Sequence, residues 1–361
     1  MHVLSSVDAV GGVWTYALEL ARALPDVRFS LAQMGPRPSS AQRSQACELP
    51  NVELFESDFL LEWQNEPWED VDKSSQWLLE LERDLRPDLV HLNGFSPGAY
   101  GFAFDTPKVV VAHSCVLSWW QAVKDESAPK EWGEYGRRVK SGLDAANAVV
   151  APSAAFGREI KRLYELRREI ETIHNGADAF PYARRARKPF VLCAGRAWDE
   201  AKNFAVLNQI GARVPLRLAG EAGEFRSSNI ELLGRLERAE LEAELQRAAV
   251  FAHPALYEPF GLGVLEAAQA GCALVLSDIP TLRELWDGAA VFCSPREADD
   301  WTQTLEFLMN NERERLDLSQ RAQERAARYS REAFGHGYRA LYEQLVPKRK
   351  PNPLVARFKR S

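Results

Sequence analysis

Residues 253–278 read HPALYEPFGLGVLEAAQAGCALVLSD, and the way this stretch folds locally decides the architecture of the whole chain. Pro259, Gly261 and Gly263 argue against one continuous helix through its first half, because proline lacks an amide donor and glycine disfavours helix interiors. A loop is therefore predicted over Ala255 to Gly263, then a helix from Val264 to Ala270 stopped by Gly271, then a buried strand from Cys272 to Ser277. Seven residues separate Glu258 from Glu266, which puts one acid on the loop and the other in the first turns of the helix. Between them, glycine-permitted N–H groups crown the positive end of the helix, a place where phosphate binds readily. One acid on each side of a phosphate site suits a molecule with hydroxyls at both ends, such as a sugar nucleotide. Taken alone, the spacing also fits an ordinary strand–loop–helix corner with two solvated glutamates.

The surroundings of the pair narrow that choice. Tyr257-Glu258-Pro259-Phe260-Gly261-Leu262, followed by Gly263-Val264-Leu265-Glu266-Ala267, resembles the retaining glycosyltransferases of the GT-B fold, specifically the large family 4. The resemblance implies an α/β architecture of two Rossmann-like domains facing across a cleft, with a C-terminal helix crossing back to the first domain. It further implies that Glu258 contacts the hydroxyls of the donor sugar and that Glu266 holds the ribose hydroxyls. Phe260, Gly261, Leu262 and Gly263 would then line the donor site.

Working outward towards the N-terminus, Val250 to His253 is a strand leading into this stretch, and Arg238 to Ala248 is a helix. Gly234-Arg235-Leu236 follows the strand Ile230 to Leu233, where the resembled family brings backbone to the nucleotide base. Phe190 to Ala194 is a strand, and Gly195-Arg196-Ala197-Trp198-Asp199-Glu200-Ala201-Lys202-Asn203 comes after it. Arg196 and Lys202 on one such loop can clamp a diphosphate, the first through its planar fork and the second as a point charge. Without context they would read as solvated surface charge; their place at the first βα turn of the second domain matches the family's phosphate site. The basic, proline-bounded segment 181–189, PYARRARKP, reads as the linker between domains. The expected organisation is thus 1–180 for the acceptor-binding domain, completed by about 331–346, and 190–330 for the nucleotide-sugar domain.

In the first domain, His2 to Val7 is a strand, Asp8 to Gly12 a turn and Val13 to Leu24 a helix. Gly11 and Gly12 let backbone come close to a phosphate at the mouth of that helix, although a plain turn explains them as well. No Gly-x-Gly-x-x-Gly fingerprint is present, so a nicotinamide cofactor finds no support. The resemblance places the glycine-rich loop against the donor phosphates and the acceptor. Alternating strands and helices from 27 to 110 call for a parallel sheet covered on both faces. His113 follows the strand Val109 to Ala112, at the end that faces the ligand crevice in open α/β sheets. A lone histidine is usually structural, but family members carry one here that reaches the donor sugar. Trp14, Trp119 and Trp120 are the candidates for lining the acceptor site. Thr172 to Asp178 resembles the segment that ends the first domain in this family.

Beyond the opening stretch, helical patterns cover about Ala298 to Asn310 and Asn311 to Tyr329, and Arg331 to Val346 is expected to pack back on the first domain. The tail 347–361 carries six Lys or Arg and no acid, which fits a solvated end or contact with an anionic membrane.

Bulk properties set limits on function. A length of 361 residues suits about two domains, and 46% hydrophobic with 27% charged residues is ordinary for a globular protein. A net charge of −6 gives no reason to expect a nucleic-acid partner. Five scattered cysteines without metal-ligand spacing read as reduced residues of a cytoplasmic protein. No apolar run approaches the roughly 20 residues that span a bilayer, and no leader is read before the first strand. The expected location is therefore cytoplasmic, with peripheral contact at the inner face of the membrane through the basic tail. No cofactor and no metal are expected, the phosphate charge being met by side chains.

The expected activity is retaining, metal-independent transfer of a sugar from a nucleoside diphosphate to a sugar, lipid-linked or small-molecule acceptor. His113, Glu258, Arg196 and Lys202 would carry the chemistry. Two rivals stand beside it: a non-hydrolysing sugar-nucleotide epimerase of the same fold, and a non-catalytic sugar-nucleotide-binding protein.

Overall fold

The computed structural model describes residues 1–99, 106–178, 187–210 and 214–346. Most of the expected linker (181–186) and the basic tail 347–361 lie outside the described residues.

The first domain is built on strands β1 (His2–Asp8), β2 (Arg28–Met34), β3 (Val52–Glu56), β4 (Leu89–Leu92), β5 (Lys108–Val111), β6 (Ala148–Ala151) and β7 (Glu171–Thr172). Its helices are α1 (Gly12–Ala23), α2 (Ser40–Cys47), α3 (Trp68–Leu85), α4 (Val116–Lys124), α5 (Gly133–Ala145) and α6 (Ala154–Leu163). The seven strands form one sheet in the order β3-β2-β1-β4-β5-β6-β7, every pair parallel. Its central strands are buried on both faces, as their nearly unbroken apolar runs require of a sheet sandwiched by helices.

The second domain uses β8 (Lys188–Ala194), β9 (Leu216–Ala219), β10 (Ile230–Gly234), β11 (Ala248–His253), β12 (Ala273–Ser277) and β13 (Val291–Cys293). They are parallel in the order β10-β9-β8-β11-β12-β13. Helices α7 (Arg238–Arg247), α8 (Leu262–Gln269), α9 (Pro280–Trp286), α10 (Ala298–Asn310) and α11 (Glu312–Ala326) cover it. Strand β8 starts at Lys188, two residues before the expected Phe190, and Arg187 donates to the Leu245 and Ala248 carbonyls. The end of the expected linker therefore belongs to the second domain. Helix α8 likewise starts at Leu262 rather than Val264, because Gly261 at φ +89° turns the chain directly into it.

The chain passes between the domains twice, and the two passages touch: Ala177 and Ser330 form a parallel bridge. Helix α12 (Arg331–Leu345) then lies along α1, burying Phe334, Tyr338, Leu341 and Tyr342 in the first-domain core. A Cβ at Gly335 would stand 2.9 Å from the Cβ of Ala23, so glycine permits this close crossing. Tyr342 Oη meets His91 Nδ1 on β4 at 2.6 Å. This is the crossing back that the resemblance implies. Among the described residues no helix is long and apolar enough to cross a membrane.

Candidate functional site

Both sheets send the carboxyl ends of their strands towards the space between the domains. Asp8 ends β1, His113 stands two residues past β5, Gly195 follows β8 and His253 ends β11. Two helices, α1 and α8, begin there on glycines, Gly11 at φ +81° and Gly261 at φ +89°, and neither has a side-chain cap. Only glycine adopts these left-handed turns without strain. A Cβ on Gly11 would lie 3.6 Å from Arg196 Nη1, and one on Gly12 would lie 3.8 Å from Leu262 Cδ1. The two helix starts therefore face each other across the cleft. Their amides and the positive ends of their dipoles make a place suited to an anion.

The loop after β8 brings two cations to this place. Asp199 orients Arg196 through a 2.9 Å ion pair, and Arg196 Cζ lies 5.1 Å from the centre of the half-exposed Trp198 ring. Asn203, at φ +54°, donates to the Pro254 carbonyl at 2.9 Å and the Pro295 carbonyl at 2.6 Å. That lashes the Lys202 loop to the loop carrying Glu258. Lys202 Nζ consequently lies 2.7 Å from Glu258 Oε2, the two side chains retaining only 20% and 14% of their exposure. His253 Nε2 is 3.1 Å from the same carboxylate oxygen.

Burial alone would raise the Glu258 pKa, but the Lys202 ammonium and then the His253 hydrogen bond outweigh it and hold the carboxyl well below the usual range. Burial lowers the His253 pKa, so a neutral ring donates from Nε2 and the ion pair is with Lys202. Glu258 is thus a permanent acceptor, suited to hydroxyl donors.

Glu266 occupies the second turn of α8 and pairs with Arg238, the first residue of α7, at 2.6 Å. Burial raises its pKa against the pull of Arg238, and Glu242 and Glu19 add to the rise. Beside it is a pocket of about 60 Å³ lined by Thr15, Tyr16, Glu19, Arg238, Glu266 and Arg331. The His113 and Tyr16 rings meet edge to face with their centres 4.4 Å apart, and His113 Nε2 contacts Asn93 Oδ1 at 2.7 Å. Burial, and then the neighbouring His91, lower its pKa to about 3, so it is a neutral hydrogen-bonding group.

Most of the residues singled out in the sequence are brought to this cleft, but not all. Trp14 is a correction: it is 3% exposed in the first-domain core and donates to Gln45 on α2 at 3.3 Å, so it lines no acceptor site. Trp119 and Trp120 remain partly exposed on α4, edge to face at 5.7 Å. The Phe260 ring packs into the second-domain core against Tyr329 at 5.7 Å, which leaves only its backbone to the cleft. Gly234, at φ +69°, has open space at its Cβ position; Arg235 beside it is exposed and Leu236 rests on the domain core.

Asp8, Arg238, His253 and Tyr257 were not assigned roles from sequence. Asp8 is held by the Val10 amide at 2.8 Å, and burial raises its pKa to about 6 against that bond and the charge of Arg196 across the cleft. Its place at the end of the first strand, just before Gly11-Gly12, was the available signal. Among the described residues no group of three His, Cys, Asp or Glu side chains is arranged to hold a metal ion.

Comparison with known proteins agrees with this architecture. The profile described as Glycosyltransferase Family 4 matches residues 10–179, and that described as Glycosyl transferases group 1 matches residues 222–325. A glycogen synthase of Mycobacterium tuberculosis is 29% identical over 255 residues, covering 61% of this chain and 59% of that protein. An N,N'-diacetylbacillosaminyl-diphospho-undecaprenol alpha-1,3-N-acetylgalactosaminyltransferase of Campylobacter jejuni is 26% identical over 176 residues, covering 44% and 46%. The chain thus spans about half to three fifths of these curated relatives. Among solved structures, sucrose-phosphate synthase from Thermosynechococcus elongatus superposes with a TM-score of 0.77 at 17% identity, covering 95% of this chain and 98% of that one. Anabaena HepE in complex with UDP and glucose gives 0.73 at 17% identity, covering 95% and 100%.

Proposed function

The chain belongs to the group 1 glycosyltransferases of the GT-B fold, and on that premise we propose that it moves a sugar from a nucleoside diphosphate to an acceptor hydroxyl with retained anomeric configuration. The observation that carries the reading is the meeting of two glycine-started helices with Arg196 and the Lys202–Glu258 pair at one point of the cleft. Each of these elements has a use in such a reaction. The bond between the anomeric carbon and the phosphate oxygen breaks, leaving negative charge on the departing diphosphate. Arg196, Lys202 and the amides at the starts of α1 and α8 meet that charge as it develops. The acceptor oxygen bonds to the anomeric carbon from the same face, and its proton passes to the departing phosphate oxygen.

Glu258, always ionised, accepts hydrogen bonds from the donor's hydroxyls and takes no part as an acid. Glu266 holds the ribose, which requires Arg238 to release one of its oxygens or to share it. Arg238 lines the pocket beside Glu266, so a ribose entering there competes with Arg238 for the carboxylate. His113 offers a neutral hydrogen bond to the sugar. No cofactor or metal enters this scheme.

Anabaena HepE is a neighbour solved with UDP, which makes uridine the first base to try. The acceptor is a sugar, lipid-linked or small-molecule hydroxyl, and residues 347–361 would bring the enzyme to an anionic membrane if the acceptor is lipid-linked. A thermal-shift screen over UDP-, GDP- and ADP-sugars tests the reading, since a ligand at 100 times its Kd stabilises by about 2.7 kcal/mol. Product analysis with and without acceptor then separates transfer from epimerisation. No shift with any nucleotide sugar would refute the proposal.

A further inference from the structure

The loop that carries Glu258 is built by both domains. Tyr257, one residue before it, reaches into the first domain and packs its ring against Phe156 of α6 at 6.1 Å. Its hydroxyl oxygen accepts the Cys115 amide at 2.9 Å, at the start of α4, and lies 2.9 Å from Ser118 Oγ. Ser118 Oγ also lies 3.0 Å from the Cys115 carbonyl and donates its single proton there, so the tyrosine proton fills the contact between the two hydroxyls. Every polar group in this ring is then satisfied, in a place from which water is largely excluded.

On the other side of Glu258, the Pro259 carbonyl accepts from Ser153 Oγ of the first domain at 2.8 Å. The Glu258 carbonyl itself accepts from Thr281 in its own domain at 2.6 Å. Three successive residues are thus tied down, the outer two by the opposite domain. The far end of α4 docks as well: Arg296 donates to the Ala122 and Val123 carbonyls at 3.4 and 3.3 Å, and Lys124 pairs with Glu200. Parting the domains therefore removes the first-domain partners of Tyr257 and Pro259 and leaves the backbone on either side of Glu258 without its anchors.

We infer that Tyr257 is a positioning residue: its hydroxyl, seated on Cys115 and Ser118, sets Glu258 against the donor sugar only while the cleft is closed. This rests on the transferase reading for its consequence in turnover, but the mechanical link stands apart from it. It ties sugar recognition to closure, so a donor bound to the open second domain is held by its nucleotide and not yet oriented at its anomeric carbon.

The test compares Tyr257→Phe, Ser118→Ala and the double variant with the parent protein. Tyr257→Phe, which loses both hydroxyl contacts, should lower kcat by about five- to tenfold, and Ser118→Ala, which leaves the Cys115 amide bond, by less. The double variant should fall no further than Tyr257→Phe alone, because phenylalanine already removes the Ser118 contact along with the Cys115 one. KM for the donor and the calorimetric Kd for free UDP, GDP or ADP should stay within about twofold, since the nucleotide site is untouched. Hydrogen exchange without ligand should quicken in Tyr257→Phe both at residues 115–118 and at 255–263.

An unchanged kcat, additive losses in the double variant, or unaltered exchange at 255–263 would each overturn the inference. If the parent protein transfers no sugar from any donor, the transferase reading is what fails, and the exchange measurement still decides whether Tyr257 couples the domains to the Glu258 loop.

Discussion

Replacing Lys202 by methionine keeps the length of the side chain and removes the charge that offsets Glu258. The ion pair is 2.7 Å long and both side chains are at least 80% buried, so methionine leaves a carboxylate with little solvent and one neutral imidazole for company. Breaking such a pair from one side costs about 3 kcal/mol, the lower end for buried pairs, because each partner keeps some contact with water. For a cooperative unit of about 150–250 residues that lowers Tm by about 6–12 °C.

The pH dependence distinguishes this cause from a packing defect. In the parent protein the Glu258 pKa is depressed, so its stabilising contribution is complete above the unfolded value of about 4.3 and fades only as pH falls through that region and below. In Lys202→Met, burial is no longer outweighed and the folded pKa rises above the unfolded one. The penalty then grows as pH climbs from about 4.3 and is complete above the new folded value. Melting curves of the two proteins at pH 5 and pH 8 should therefore be furthest apart at pH 8. Lys202→Met/Glu258→Gln, which removes the stranded charge, should recover most of the loss. An equal gap at both pH values, or no recovery in the double variant, would refute the electrostatic account.

Arg196→Ala should weaken nucleoside-diphosphate binding and cost about 2–4 kcal/mol in kcat/KM, because it removes a charge aimed at the leaving group; unaltered kinetics would show the phosphate site to be elsewhere. Glu266→Ala should weaken free nucleotide and nucleotide sugar alike, whereas Glu258→Gln should spare the free nucleotide and harm the intact donor. Calorimetry with both ligands reads this, and a reversed pattern would exchange the two roles. The 361-residue chain should sediment with anionic vesicles at low salt and lose that binding as salt rises, while a version ending at Val346 should not bind. If both stay in solution, the tail makes no membrane contact.

The parts of the fold that were legible are those governed by local rules. Pro259, Gly261 and Gly263 act within a few residues, which is why the division between a loop holding Glu258 and a helix holding Glu266 could be read directly. The buried parallel strands announce themselves by unbroken apolar runs such as Val109–Val111 and Ala273–Leu276. Helix α9 obeys a local rule as well, since it begins on Pro280 and proline suits a first helical position. Trp14 misled for a tertiary reason. Helix α1 is wedged between the sheet and α12, so residues on most of its circumference are buried, and an aromatic beside a glycine pair was core rather than site.

The partners of the site acids leave no periodic trace at all. Arg238 reaches Glu266 across 28 residues, and Tyr257 reaches Cys115 across 142. Nothing in the neighbourhood of either residue in the chain foretells such a meeting. The group 1 resemblance supplied the roles of Glu258 and Glu266; it did not supply these companions.

The return of α12 has a consequence for how the molecule is made. On the ribosome, β1 and α1 emerge early, but the aromatic wall that closes their core, with Phe334, Tyr338 and Tyr342, is translated only after the entire second domain. Until then His91 lacks the tyrosine that meets it from 251 residues away, and the apolar side of α1 that Gly335 later approaches stays open. The nascent first half therefore waits, partly assembled, while the second half folds as an insertion in its path. A recombinant fragment cut at the domain boundary would inherit the same gap, and one that carries 331–346 fused behind residue 178 would fill it.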